Sequence, residues 1–344
     1  MTSKDLDFNQ KTTRKESVVV VASKVLTNSV SFSQRNNNKE SLLYLAAEKG
    51  IKVIIDKFLD AEDELALKME LLNEKFNLGR TPLFAAAYNG HTDVVKLLID
   101  NGADFSISND DDWTPLYAAV NKGFASTAQV LIDSGANVND RTNKGVTPLY
   151  TACNSGDIAM INILLNAKAN HAFVNNEGCT SLFAACVKGH VEVVKLLIGR
   201  GADVQLCNNK GISPLHAATQ SSRLEIVQLL LDAGADLSIL SKEEGTSPLF
   251  VACENGFTDI VALLVSVGSD IKQKSKKGVS PLLAASRNGH IDVVAKLLSA
   301  GADPNVPDAD GQTPLLAATE AGHVKIVSLL LASKADVNIK DANS

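Results

Sequence analysis

The sequence predicts an all-α repeat solenoid in which helix-turn-helix pairs, joined by β-hairpin loops, stack in chain order. Three observations predict it. A Thr/Ser-Pro-Leu pattern recurs with a period of 33 residues, each period carries two short apolar runs at helical spacing, and glycines separate those runs at fixed offsets. The prolines stand at Pro82, Pro115, Pro148, Pro214, Pro248, Pro281 and Pro314, with successive gaps of 33, 33, 66, 34, 33 and 33. Ser181, in "CTSLFAACVKGH", fills the double step and lacks only the proline, so the unit occurs eight times.

Each element of the unit has a physical reason, shown by "GRTPLFAAAYNGHTDVVKLLIDNGAD" at 79–104. Thr81 caps a helix whose first turn accepts Pro82, because the proline has no amide hydrogen to leave unbonded there. Leu83, Ala85, Ala86 and Ala87 follow as a short inner helix with alanines small enough for close stacking. Gly90 permits the reversal. Val94, Val95, Leu97, Leu98 and Ile99 then form an outer helix that buries an apolar stripe, and Gly102 suits a left-handed C-cap. About ten polar residues lead to the next glycine and read as a turn or hairpin.

One such pair cannot bury both of its faces. Stacking can, since each buried Leu or Val contributes on the order of 1.5–3 kcal/mol and neighbours share the contact. The pattern therefore predicts one elongated domain held by nearest-neighbour interfaces.

"SPLHAATQ" at 213–220 and "GHVEVVKLLIGRGADV" at 189–204 resemble the ankyrin repeat, in its period and its T-P-L-H-x-A signature. The resemblance covers residues 79–338. Residues 40–78 resemble a degenerate capping repeat: "ESLLYLAAEKGIKVIIDKFLD" lacks Thr-Pro. The step from Gly50 to Gly90 is 40 residues, so a seven-residue insertion lies in "AEDELALKMELLNEKFN", read as a lengthened outer helix or a connector. In segment 1–39, Val18, Val21, Ala22, Val25 and Leu26 fit one helical face of a half-repeat, with disorder as the alternative. Residues 339–344 start a further hairpin with no polar closing pair, which implies a longer parent protein or a covering molecule, including end-to-end self-association.

Composition narrows the function classes. The 344 residues carry a formal net charge of −6 and a pI near 5.6, which argues against a basic nucleic-acid surface. The apolar run at 18–22 is far shorter than the roughly 20 residues of a membrane span, and the polar start does not resemble a secretory signal. Five cysteines, an odd number without a CxxC pair, suit a reducing compartment. An intracellular, cytoplasmic protein is expected, with the nucleus left open.

Candidate catalytic groups dissolve into the period. His91, His190, His290 and His323 share one position after glycine, at a helix start. His216 fills the T-P-L-H slot, where the resemblance implies a bond across the turn, and His171 lies on a connector. Cys153, Cys186 and Cys253 share an inner-helix slot and read as buried, whereas Cys179 and Cys207 fall in or near hairpins and are expected to be exposed. No metal-ligand spacing, phosphate loop or nucleophile elbow occurs. No catalytic, metal or cofactor site is expected.

The informative positions are those that vary within the frame. The resemblance implies a concave face of inner helices and hairpins that grips partner proteins or peptides. Immediately before Thr/Ser-Pro stand Arg80, Trp113, Val146, Cys179, Ile212, Thr246, Val279 and Gln312. Trp113, the only tryptophan, sits beside Asp110 and Asp111, an aromatic anchor flanked by negative charge that suits an apolar partner group beside Lys or Arg. The alternative is that Trp113 covers an adjacent repeat. Asp112 takes the place that glycine holds elsewhere, a left-handed turn that Asp tolerates. A second row at the inner-helix ends includes Tyr88, Asn121, Asn154 and Lys188. A non-catalytic interaction scaffold is the expected function; the alternative is the targeting or regulatory part of a larger adaptor, channel or enzyme.

Overall fold

The computed structural model describes residues 35–36, 39–60 and 65–339, so the candidate half-repeat at 18–26 and the closing residues 340–344 lie outside the described residues. The described residues form nineteen α-helices and no strand. They fall into two compact units, the first ending at Asn170 and the second beginning at His171.

In the first unit, helices α1 (Leu42–Lys49) and α2 (Lys52–Asp60) make the opening pair. Helix α3 (Leu65–Asn73) follows. The repeated pairs are α4 (Pro82–Tyr88) with α5 (Thr92–Asp100), α6 (Pro115–Lys122) with α7 (Ala125–Asp133), and α8 (Pro148–Ser155) with α9 (Ile158–Asn166). In the second unit the pairs are α10 (Ser181–Lys188) with α11 (Val191–Gly199), α12 (Pro214–Gln220) with α13 (Leu224–Asp232), and α14 (Pro248–Asn255) with α15 (Thr258–Ser266). The last two are α16 (Pro281–Arg287) with α17 (Ile291–Ser299) and α18 (Pro314–Glu320) with α19 (Val324–Ala332).

The inner helices start where the capping chemistry places them. The hydroxyls of Ser41, Thr81, Thr114 and Thr147 accept the N–H groups of Tyr44, Phe84, Tyr117 and Tyr150 at 3.1–3.2 Å. Thr180 caps Ser181–Lys188 in the same way, with 3.1 Å to the Phe183 N–H, so the missing proline leaves the helix start intact. In α4 the residues Pro82 to Ala87 are all buried. The outer helix α5 buries Val94, Val95 and Leu98, while Leu97 and Ile99 are half-buried at the edges of the stripe.

Within the insertion, Leu65–Asn73 form the helix α3 between α2 and α4, and residues 61–64 lie outside the described residues. In α3 Leu71 and Leu72 are buried while Leu67 and Met69 stay exposed. Lys68 Nζ donates to the Leu59 carbonyl at 2.9 Å, and Asn73 Oδ1 accepts the Asp104 N–H at 2.8 Å, which ties the insertion to both flanking repeats.

Loops close as hairpins without extending into strands. In each, one backbone bond pins the tip, such as Asn109 N–H to Trp113 O at 2.9 Å and Thr142 N–H to Val146 O at 3.0 Å. Neighbouring tips are joined by single backbone bonds: Asp110 to Leu78 and Asn143 to Asp111 in the first unit, Asn209 to Glu177 and Lys242 to Lys210 in the second.

Stacking is set at the turn between the two helices of a pair. Gly50, at φ 69°, ends α1, and the His91 ring of the following repeat lies so close that an added Cβ would sit 2.5 Å from Nδ1. His91 Nε2 donates to the Glu48 carbonyl at 3.1 Å. Phe124 covers Gly90 in the same manner. In the second unit His290 covers Gly256 and donates to Glu254 O at 2.9 Å; His323 covers Gly289 and donates to Arg287 O at 3.1 Å. His91, His290 and His323 thus serve the stacking contact between repeats.

This geometry ranks two substitutions. Gly256→Ala meets both a left-handed backbone at φ +74° and the His290 ring, whereas Gly234→Ala at φ +82° meets the backbone strain with open space around it. Both are expected to destabilise by about 1 kcal/mol or more, with Gly256→Ala the worse; equal urea midpoints would remove the ring from the stacking contact. A second expectation concerns Thr219, which is fully buried with its hydroxyl unpartnered. The Ser286 and Thr319 hydroxyls in the same slot donate to the carbonyls of Leu282 and Leu315. Thr219→Val is expected to raise stability by about 1 kcal/mol, because a buried group without a partner loses its hydration for nothing; a lowered melting temperature would contradict this.

Candidate protein-binding surface

The loop before each inner helix is organised by one side chain four residues ahead of the variable slot. Asn109, buried, accepts the N–H groups of Asp111 at 3.0 Å and Trp113 at 2.8 Å through Oδ1. Asn175, Asn208 and Asp308 do the same for Cys179, Ile212 and Gln312, and in the repeat with a 34-residue step Ser241 Oγ, five residues ahead, accepts from Thr246. Asp112 has φ 59°, so the left-handed turn expected at this non-glycine residue is present. These side-chain acceptors fix the loop backbone that presents the slot residue.

In the first unit these slots meet a set of rings. Trp113 is half-buried, with its ring centroid 4.8 Å from that of Tyr117 at an interplanar angle of 58°. Tyr117 is buried, and its phenol oxygen accepts from Thr151 Oγ1 at 3.1 Å. Burial pushes the Tyr117 phenol above its ordinary range, so it stays neutral. One repeat earlier the Arg80 guanidinium lies 5.8 Å from the Phe84 centroid and 5.3 Å from that of Tyr88, and Lys122 Nζ stands 4.4 Å from the Tyr88 centroid. Tyr88 is thus clasped by two cations.

Asp110 and Asp111 are exposed at the tip, and Asp111 Oδ1 also accepts from Asn143 Nδ2 at 3.3 Å. Val146 is half-buried, while Asn121 and Asn154 are exposed at helix ends.

The other predicted site residues, Cys179, Lys188 and Ile212, belong to the second unit. Cys179 corrects the sequence reading: it is only 4% exposed, so it offers no thiol to a partner. The next tip covers it, with Asn208 Nδ2 at 4.0 Å from its sulfur, and burial raises the thiol above its usual range. Ile212 is half-buried and Lys188 exposed. Cys207, the other hairpin cysteine, is half-buried, and burial raises its thiol too.

Two columns escape the sequence reading. One is the loop-organising column of Asn109, Asn175, Asn208 and Asp308. The other is the third residue of each inner helix, which holds Phe84, Tyr117, Tyr150, Phe183, His216 and Phe250. Aligning the repeats on the Thr/Ser cap exposes both.

His216 in that second column makes the expected bond across the turn. Its Nδ1 is 2.8 Å from Ser213 Oγ, and Nε2 donates to the Thr246 carbonyl at 3.0 Å. Burial lowers its pKa below the ordinary 6.5. Because the unfolded chain then binds the proton more tightly, this side chain withdraws stability as pH falls through about 6.5. His216→Phe, the residue type found at Phe183 and Phe250, is expected to shrink the loss of melting temperature between about pH 7.5 and 5.5; an unchanged loss would place the acid sensitivity elsewhere.

Among the described residues no group of three or more His, Cys, Asp or Glu side chains is placed to hold a metal ion, and no helix is long and apolar enough to cross a membrane. None of the curated proteins compared with the chain matches it. A family model described as ankyrin repeats in three copies matches residues 20–109, 43–142, 96–174, 138–206, 157–241, 197–275 and 249–341. With its capped inner helices, its ring-on-glycine stacking and this coverage of most of its length, the chain belongs to the ankyrin repeat family.

Proposed function

We propose that the chain is a non-catalytic interaction scaffold that binds a protein or peptide partner through the loop tips and inner-helix ends of its first unit. The observation that carries this reading is Trp113. Its indole is held against Tyr117 by a loop whose backbone Asn109 fixes, yet it keeps part of its surface in solvent. A rigid, partly exposed aromatic group loses little freedom on binding, which is why tryptophan dominates many interface energies.

The surrounding charge supports a choice of partner chemistry. Asp110 and Asp111 lie beside the ring at the tip, and a partner that sets an apolar side chain on the indole and a Lys or Arg near these carboxylates complements both. Arg80 and Lys122 are drawn onto Tyr88. Asn121 extends the surface along the same repeat, and Val146 and Asn154 along the following one.

Affinity capture from an extract of the source cells tests the reading, with the Trp113→Ala, Val146→Ser double variant beside the unaltered chain and a Lys96→Ala variant of the exposed outer helix as control. Loss of captured proteins in the double variant alone, with circular dichroism unchanged, is the expected result. Since Trp113 is the only tryptophan, its emission is also expected to shift to the blue as the partner covers it. Captured proteins retained by the double variant would move the binding surface away from Trp113.

A further inference from the structure

The second unit contains a pocket of about 290 Å3 between the repeats that begin at Ser247 and Ser280. Its apolar lining comes from Phe250, Val279 and Ala284, which also pack against one another in a buried cluster. Glu244, on the loop before α14, and Glu254, on the last turn of α14, line it together with Glu243, and Lys276, Lys277 and Arg287 line it as well. The volume lies at the lower end of ligand cavities and suits one side chain better than a whole small molecule.

Two of the three lining cations already hold hydrogen bonds. Arg287 Nη2 donates to Asp308 Oδ2 at 3.1 Å and to Gln312 Oε1, and Lys276 Nζ donates to the Lys242 carbonyl. Neither the Glu244 nor the Glu254 carboxylate accepts a hydrogen bond from a described residue. Burial and the nearby Glu244 charge raise the Glu254 carboxyl above the usual carboxylate range, opposed by Arg287. A cation placed between these two carboxylates relieves their repulsion, whereas an anion adds to it and finds two of the three lining cations, Lys276 and Arg287, already bonded.

We propose that this pocket receives a lysine or arginine side chain of an extended partner segment, its aliphatic stem against Phe250 and Val279 and its cationic head between Glu244 and Glu254. The inference rests on the reading of the chain as a protein-binding scaffold, and it adds a second recognition point with its own chemistry. Long basic side chains are amphipathic in this sense: the stem buries in apolar contact while the head stays with polar groups. A neighbouring apolar residue on the partner reaches the rim.

The test uses randomised displayed heptapeptides selected on the full chain, followed by affinity measurement of the selected synthetic peptides. Three proteins are compared: the unaltered chain, the Glu244→Gln, Glu254→Gln double variant, and Trp113→Ala. Because the two carboxylates hold no described hydrogen bond, the double variant is expected to keep its circular dichroism and melting temperature. Selected peptides are expected to carry Lys or Arg beside an apolar residue, to lose about tenfold in affinity on the double variant, and to bind Trp113→Ala unchanged. Replacing the selected Arg by citrulline, neutral and of the same shape, is expected to lose as much. Acidic selected peptides, equal affinity for the double variant, or the absence of any selected peptide would overturn the pocket. Basic peptides lost on Trp113→Ala but kept on the double variant would overturn it while leaving the first-unit surface standing.

Discussion

The contact on which the rest depends is the one between the turn of one repeat and the ring of the next. An inner helix ends with carbonyls that have no partner within the helix. The turn that follows adopts a left-handed conformation, glycine removes the Cβ, and the ring of the following repeat lies directly on bare backbone while its nitrogen takes one of those carbonyls. His91 over Gly50 and His290 over Gly256 do both at once. Where Phe124 covers Gly90, the packing is present without a ring nitrogen. Where Arg223 covers Gly189, a guanidinium fills the same space. The step between repeats is therefore set by a backbone approach distance rather than by any one side chain, which explains how the ring position tolerates His, Phe and Arg.

The same contact leaves the loop before each inner helix to meet its neighbours at the tip, through one backbone bond and a few side-chain contacts such as Asn143 Nδ2 to Asp111 Oδ1. That loop is still rigid, because Asn109 and its counterparts satisfy the N–H groups that the tight turn would otherwise strand. A rigid backbone that accepts a buried slot residue, as at Val279, or a half-buried one, as at Trp113, is the combination a variable position needs. Trp113 and Cys179 show how far the outcome varies on one backbone. Trp113 rests on Tyr117 and stays half-buried; Cys179 is covered by the Asn208 tip and buried.

Most of the frame was legible in the sequence because its determinants are local. Thr81, Pro82, Gly90 and Gly102 each act within a few residues of themselves, through a cap, a fixed φ or a positive φ, and the period repeats the evidence. Asp112 was legible for the same reason: its position in the frame demanded a left-handed residue. The Leu65–Asn73 helix was not, since its apolar residues are spread around the axis and only Leu71 and Leu72 find a buried face. The burial of Cys179 was not legible either, because it is decided by Asn208, 29 residues away. At the candidate surface, sequence placed Trp113, Arg80 and Tyr88 on variable positions, but the clasp of Arg80 and Lys122 on Tyr88 joins side chains from two repeats and needs the stacked geometry to be seen.

A fold stabilised by neighbour-to-neighbour interfaces separates holding from binding in a way a single central core does not. In a core, an altered side chain disturbs partners throughout the domain. Here the stabilising groups are the capped helix starts, the buried Leu and Ala of the inner helices and the ring on the left-handed turn, all repeated and all set back from the loop tips. Substitutions in slots of well-separated repeats are expected to be nearly additive, with the buried Val279, packed on Phe250 and Leu283, costing more than the half-buried Ile212. That independence lets one frame carry an aromatic surface framed by Arg80 and Lys122 at one place and a pocket bounded by Glu244 and Glu254 at another. Charge and shape at each place can then change without any change in the spacing of the repeats that present them.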